Sequence, residues 1–138
     1  MTNPPTPTEP IYVVDTNALI WYLTADKKLS RRAAEIFTAA ESGAARLLVS
    51  AITIAELYYA NQKWEWFDDF NQVYQDLQSK PYFQLVAFTA DDVLQFALDS
   101  SIPEMHDRII AGLAQRLEAP LLTSDSLIAE ANAVRIVW

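Results

Sequence analysis

Ile11-Tyr12-Val13-Val14-Asp15 is the stretch on which the fold of this chain turns. Four apolar residues in a row, with no polar alternate, read as a strand buried on both faces, the kind found inside a parallel sheet. The run ends on a carboxylate, and that ending bears on function as well as on fold.

Outward from this strand, helical and strand-like patterns alternate. Asn17–Leu23 reads as a helix, and Ser30 as the N-cap of another that runs to about Ala40 and stops at Ser42-Gly43. Leu47–Val49 is the second predicted strand, with a helix beginning over Thr53–Tyr59 and a long aromatic helix from about Trp64 to Leu77. After Pro81, Phe83–Phe88 alternates like a third strand, and Thr89-Ala-Asp-Asp92 resembles a capping box opening a helix to about Leu98. Ser101-Ile-Pro-Glu104 opens a helix whose buried face carries Ile109, Ile110, Leu113 and Leu117. Pro120–Thr123 is a fourth strand, Leu127–Ala131 a short helix and Val134–Val137 a fifth strand. This alternation predicts an α/β sandwich around a mostly parallel five-stranded sheet.

Composition narrows the chemistry. At 138 residues the chain fits one domain, and 51% hydrophobic residues suit a folded core. The proline-rich stretch over residues 1–10, MTNPPTPTEP, lacks the apolar segment of a secretion signal and is predicted to be a flexible tail before a domain over residues 11–138. With no cysteine there is neither a disulfide framework nor a thiolate metal site, which together with the tail leads to the expectation of a cytoplasmic protein. No apolar run reaches the ~20 residues of a membrane span. Gly43 and Gly112 are the only glycines, so phosphate-cradling glycine loops are excluded, and with them P-loop and dinucleotide-binding chemistry. No serine elbow occurs, and His106 is the lone histidine, which leaves little room for a nucleophilic triad.

What remains is carboxylates. Ligands of open parallel sheets bind outside the carboxyl ends of the strands. Asp15 follows the first strand, Glu56 lies a turn into the helix after the second, and Asp125 follows the fourth. Asp107 opens the helix that leads into that fourth strand. Gathered at one sheet edge, these acids suit a hard divalent cation such as Mg²⁺ or Mn²⁺. Each also has a plainer reading. Asp15 and Asp125 stand where helix caps stand, Thr53-Ile-Ala-Glu56 matches a capping box, and Asp107 complements a helix dipole. Net charge is −8, an awkward balance for a nucleic-acid binder unless part of it is cancelled by bound cations.

The ordered set Asp15-Thr16-Asn17, Ser50-Ala-Ile-Thr-Ile-Ala-Glu56, His106-Asp107-Arg108-Ile-Ile-Ala and Leu121-Leu-Thr-Ser-Asp125 resembles the PIN domain, in particular the VapC-like toxins of toxin–antitoxin pairs. The resemblance runs from Ile11 to Trp138. It implies a three-layer α/β/α sandwich and a metal-dependent ribonuclease whose pocket is lined by Asp15, Glu56, Asp107 and Asp125 and takes Mg²⁺ or Mn²⁺. Thr16, Asn17, Thr123 and Ser124 stand where the family keeps residues that orient the acids. It further implies an RNA substrate cut endonucleolytically, a cognate antitoxin and a homodimer, with the aromatic helical region forming part of the antitoxin groove. Two other functions remain open: a PIN nuclease of RNA maturation without an antitoxin, and a catalytically silent PIN-like binding module. Lys27, Lys28, Arg31 and Arg32 form the one cluster of positive charge, either a phosphate grip or a solvated helix face. His106 and Arg108 are read as neighbours of the site rather than parts of it.

Overall fold

A computed structural model describes residues 9–97 and 101–138. The strands β1 (Ile11–Val14), β2 (Arg46–Ser50), β3 (Phe83–Val86), β4 (Leu121–Leu122) and β5 (Ile136–Val137) form one sheet in the order β3-β2-β1-β4-β5. All four pairings are parallel, with Val13 beside Leu48 and Leu121. The helices are α1 (Thr16–Leu23), α2 (Arg31–Glu41), α3 (Ala51–Trp64), α4 (Phe70–Ser79), α5 (Met105–Arg116) and α6 (Ser126–Ala131). The predicted α/β/α sandwich is what the chain forms. None of these helices is long and apolar enough to cross a membrane.

Alternation along the central strands feeds two cores at once. Val14, Leu47, Val49 and Leu122 point to one face, where they meet Leu19, Phe37, Leu57 and Leu77 of α1 to α4. Val13, Leu48 and Leu121 point to the other and meet Ile110, Leu113 and Ile128 of α5 and α6. Because successive strand side chains alternate, a strand covered on both faces must be apolar throughout, which is what Ile11–Val14 already displayed. Order also matters. The chain winds outward from β1 to β3, then returns through α5 to the far side of β1 as β4. The strand order thus reverses between β1 and β4, and the carboxyl edge above that switch point is where sheets of this kind form their binding crevice.

Several boundaries differ from the sequence reading. Helix α3 starts at Ala51 because Ser50, the last residue of β2, is already its N-cap and accepts from the Ile52 amide at 3.3 Å. Thr53 is therefore interior to the helix, and Thr53 with Glu56 is no capping box. Helix α3 also runs on to Trp64, and the aromatic helix begins only at Phe70. Between them Glu65 takes a left-handed φ of 54°, and the Asn61 amide grips both the N–H (2.9 Å) and the carbonyl (3.0 Å) of Phe67. Strand β3 ends at Val86, and a 3-10 helix over Ala90–Ala97 replaces the expected α-helix, whose predicted end at Leu98 lies outside the described residues. Half of the expected capping box survives there, as the Thr89 amide donates to Asp92 Oδ2 at 2.8 Å. The predicted tail falls mostly on residues 1–8, outside the described residues; Glu9 Oε1 lies 3.1 Å from Arg46 Nη2.

Leu57 is fully buried where α3 meets the sheet and sets the angle at which that helix carries Glu56. Leu57→Ala is expected to lower stability by about 2–5 kcal/mol. Urea unfolding followed by circular dichroism measures it, and a loss below about 1 kcal/mol would mean that this face packs more loosely than described.

Candidate functional site

Asp15 leaves β1 and turns the chain into α1. Its Oδ1 accepts from the Ala18 amide at 2.7 Å, so the residue is the N-cap of α1. Its Oδ2 accepts from the hydroxyl of Thr123, the residue directly after β4. Only 7% of Asp15 is exposed, and Thr123 is wholly buried. The same Thr123 hydroxyl oxygen accepts from the Asp125 amide at 3.0 Å. Asp125 in turn caps α6, its Oδ1 taking the amides of Leu127 (2.8 Å) and Ile128 (3.3 Å). One buried hydroxyl therefore ties together the two acids that flank the switch point.

Glu56 enters from α3. Its Oε1 accepts from the Thr16 hydroxyl at 2.8 Å, and Thr16 lies 3.4 Å from the buried Thr53 hydroxyl. Glu56 is thus fixed by side chains of α1 and α3 rather than by its own helix terminus. Asp107 is the third residue of α5, and its amide donates at 2.8 Å to Oε2 of the N-cap, Glu104. The positive ends of α1 and α5 both face the crevice, which partly offsets the negative charge collected there.

The charges of the neighbouring acids are felt at Asp15 and Asp107. Burial raises the Asp15 carboxyl to about 6; hydrogen bonds from Thr123 and Ala18 oppose that shift, and the charges of Asp125 and Glu56 add to it. Asp107 is also raised to about 6, first by burial and then by the charges of Asp125, Glu104, Glu56 and Asp15. Every acid singled out from the sequence acts on Asp107. Three of the four also have the plain role the sequence allowed them, since Asp15 and Asp125 are caps and Asp107 lies in a first turn. Capping and convergence are compatible, because a strand that ends at the crevice hands its chain to a helix that starts there.

Two further side chains join the rim. His106 Nδ1 lies 3.6 Å from Glu56 Oε2 and 3.5 Å from Glu104 Oε1. Glu104 had a signal in the sequence, as the acid three residues before Asp107 at a helix start. His106 had only its adjacency to Asp107. Of the four orienting residues implied by the resemblance, Thr16 and Thr123 do hold acids; Asn17 and Ser124 are exposed and make no hydrogen bond to them. Arg108 donates to the Ile102 carbonyl. Lys27, Lys28, Arg31 and Arg32 follow α1, which leads away from the crevice; Arg31 pairs with Glu35 at 3.5 Å and Lys28 sits 5.9 Å above the Trp21 ring.

Among the described residues, no three His, Asp or Glu side chains are gathered tightly enough to form a finished ion cage. The donor set nevertheless suits a hard divalent cation. It offers carboxylate oxygens on four different elements around one crevice, and at Asp15 and Asp107 burial, with the neighbouring negative charges added, already favours a bound proton or cation.

A raised carboxylate has a definite consequence for metal-free stability. Between pH 4 and 6 the folded Asp15, at about 6, holds a proton that the unfolded chain, at 3.8, has released. Stability is therefore fullest below the unfolded value and falls as pH rises through the folded one. With a chelator present, Asp15→Asn removes the charge and keeps one oxygen to accept from the Ala18 amide, while its Nδ2 takes the place of the oxygen to which Thr123 donates, so the Thr123 hydroxyl must turn to accept. It is expected to stabilise the protein at pH 7 by up to about 3 kcal/mol and to flatten the decline between pH 4 and 7. Denaturant melts across that range check it; a variant whose curve parallels the parent would show that Asp15 ionises without strain.

The PIN domain family profile matches residues 12–134. Among solved structures, VapBC2 from Rickettsia felis bound to a DNA fragment from the promoter is similar at TM-score 0.66 and 18% identity, over 92% of this chain and 97% of that one. FitAcB from Neisseria gonorrhoeae is similar at TM-score 0.66 and 20% identity, over 92% and 96%. DNA-bound VapBC from Salmonella typhimurium gives 0.63 and 18%, over 93% and 97%. At such identity the likeness speaks for the fold. No curated protein matches the chain significantly. With its profile running from the first strand to the approach of the last, this chain belongs to the PIN domain family.

Proposed function

We propose that the protein is a Mg²⁺- or Mn²⁺-dependent endoribonuclease, and that it is the toxin of a toxin–antitoxin pair. The observation that carries the nuclease reading is the convergence of Asp15, Glu56, Asp107 and Asp125 above the switch point. Thr123 ties Asp15 to Asp125, Thr16 holds Glu56, and burial with the charges of the other acids raises the carboxyls of Asp15 and Asp107. A cluster of carboxylates is costly as structure and well suited to a cation. Membership of a nuclease family agrees with it. The toxin reading draws on the fold-level likeness to VapBC complexes.

Asp15 and Asp107 would hold the cation most directly, with Glu56 and Asp125 completing its surroundings. A bound divalent ion at such a site lowers the pKa of water and neutralises charge on a phosphodiester. The chain's own residues do the rest. Thr123 fixes Asp15 by its Oδ2, and the Ala18 amide fixes the other oxygen, so the carboxylate cannot turn away from the crevice. Thr16 holds Glu56 by Oε1 and leaves Oε2 toward His106. The antitoxin, the homodimer and a cytoplasmic setting belong to the same proposal.

Purified protein incubated with RNA and Mn²⁺ is expected to cut it, and Asp15→Asn and Asp107→Asn each to abolish cutting. Thr16→Val should lower activity about 10- to 100-fold by releasing Glu56. Mn²⁺ should raise the melting temperature of the parent, and Asp107→Asn should blunt that rise. Equal residual cleavage in parent and Asp15→Asn would remove the site, and metal that shifts neither protein would return the four acids to capping alone.

A further inference from the structure

Helix α3 carries away from the acid cluster a set of side chains that the nuclease reading leaves unused. Glu56, Tyr59 and Lys63 follow one another at spacings of three and four, so they line one face of the helix. At the rise of an α-helix, Lys63 stands about 10 Å along the axis from Glu56. Tyr59 is 71% exposed and Trp64 60% exposed. Lys63 Nζ lies 5.1 Å from the centre of the Trp64 ring, and Trp64 stacks on Trp66 at 6.4 Å with planes 19° apart. The support is firm. Tyr58 braces Tyr59 edge-on at 5.5 Å and is itself braced by Phe70 at 5.2 Å. The left-handed Glu65 and the paired bonds from Asn61 to Phe67 hold the turn that carries Trp66.

We propose that this face of α3, continued over the turn at its C-terminal end, is the track along which a single strand of RNA leaves the cleavage site, its bases stacking on Tyr59 and then on Trp64 and a phosphate meeting Lys63. Trp64 lies further round the helix, against Lys63 and Trp66. The proposal rests on the nuclease reading and names how that site holds its substrate. A strand cut in its interior must continue over the surface beside the cut, and the α3 face begins at Glu56 itself. Open rings take any base, since every base has a flat face, and they need few cations. That resolves the charge. A chain at −8 whose cluster of four cations follows a helix that leads away from the crevice has little means of holding RNA by phosphate neutralisation. Stacking supplies affinity of another kind, and it predicts an unusually shallow dependence on salt.

The test uses the full chain and a single-stranded oligoribonucleotide of about a dozen nucleotides, end-labelled for anisotropy. Binding is measured in the Asp15→Asn background so that the strand stays intact, and cleavage by otherwise unchanged protein is followed in Mn²⁺. Adding Tyr59→Ala or Trp64→Ala is expected to weaken binding about 5- to 100-fold each, while Tyr59→Phe keeps it. The slope of log K against log salt should be near −0.7 to −1.4, the release of one or two phosphates' counterions, and Lys63→Gln should lower its magnitude by about 0.7. In cleavage, Tyr59→Ala should raise KM and leave kcat near the parent's. Affinity and KM unmoved by both alanine variants would overturn the track, as would a Tyr59→Phe loss equal to that of alanine. So would loss of a partner protein's binding with RNA affinity intact, which gives the face to that partner. Aromatic-dependent RNA binding in a protein that cuts nothing would keep the track and remove the nuclease, so the two ideas fail separately.

Discussion

A single buried hydroxyl holds the centre of this molecule in place. Thr123 donates to Asp15 and accepts from the Asp125 amide, and so closes β1 onto β4 at the one place in the sheet where strand order reverses. The main-chain ladder between β1 and β4 ends where the Asp15 amide donates to the Leu122 carbonyl at 3.1 Å, and the Thr123 hydroxyl carries the closure one residue further by side chains. A carboxylate as covered as Asp15 must be hydrogen-bonded or give up its charge. Both of its oxygens are accordingly engaged, one by the next helix and one by the neighbouring strand. The raised proton affinity is what remains after those bonds have done what they can. From this constraint follow the angle of α1, the seat of Thr16 and, through Thr16, the placement of Glu56.

The frame was legible because parallel sheets leave a coarse trace in sequence. Strands covered on both faces become continuous apolar runs, and Ile11–Val14 and Leu47–Val49 show it directly. Where the reading failed, a local signal competed with another just as good. Thr53 and Glu56 satisfy the pattern of a capping box, but Ser50 stands three residues earlier at the end of a strand and caps first. The break between α3 and α4 left no glycine or proline to mark it. It depends on Asn61 reaching six residues ahead to Phe67, a contact made by folding rather than announced by spacing. The 3-10 helix over Ala90–Ala97 has an apolar sequence that suits either helix, and its docking on α5 through Gln95–Gln115 and Asp92–Arg116 is tertiary.

The acids themselves were legible in position and ambiguous in role, and folding explains why. A residue at the carboxyl end of a strand is both the natural cap of the following helix and the natural ligand of the crevice. No property of Asp15 or Asp125 taken alone separates those roles. What separates them is company. A cap needs one amide, whereas Asp107 feels four other carboxylates from four other places in the chain. Glu104 and His106 show the converse. The sequence marked Glu104 only as a helix start and His106 only as a neighbour of Asp107, and the packing of α5 beside α3 is what sets His106 between Glu104 and Glu56.

Charge is then best understood as distributed by task. Acids crowd the crevice, while Lys27 to Arg32 lie beyond the far end of α1, where Arg31 is engaged by Glu35 and Lys28 by Trp21. An acidic chain of this kind cannot draw a polyanion in by its overall field. It has to hold one by short-range contacts near the cut, where attraction and chemistry coincide. The open rings of α3 offer such contacts, and they stand on the same helix as Glu56, so any shift that aligns one also aligns the other. A surface built in this way would favour strands whose bases are already free, because a paired base has no face left to stack.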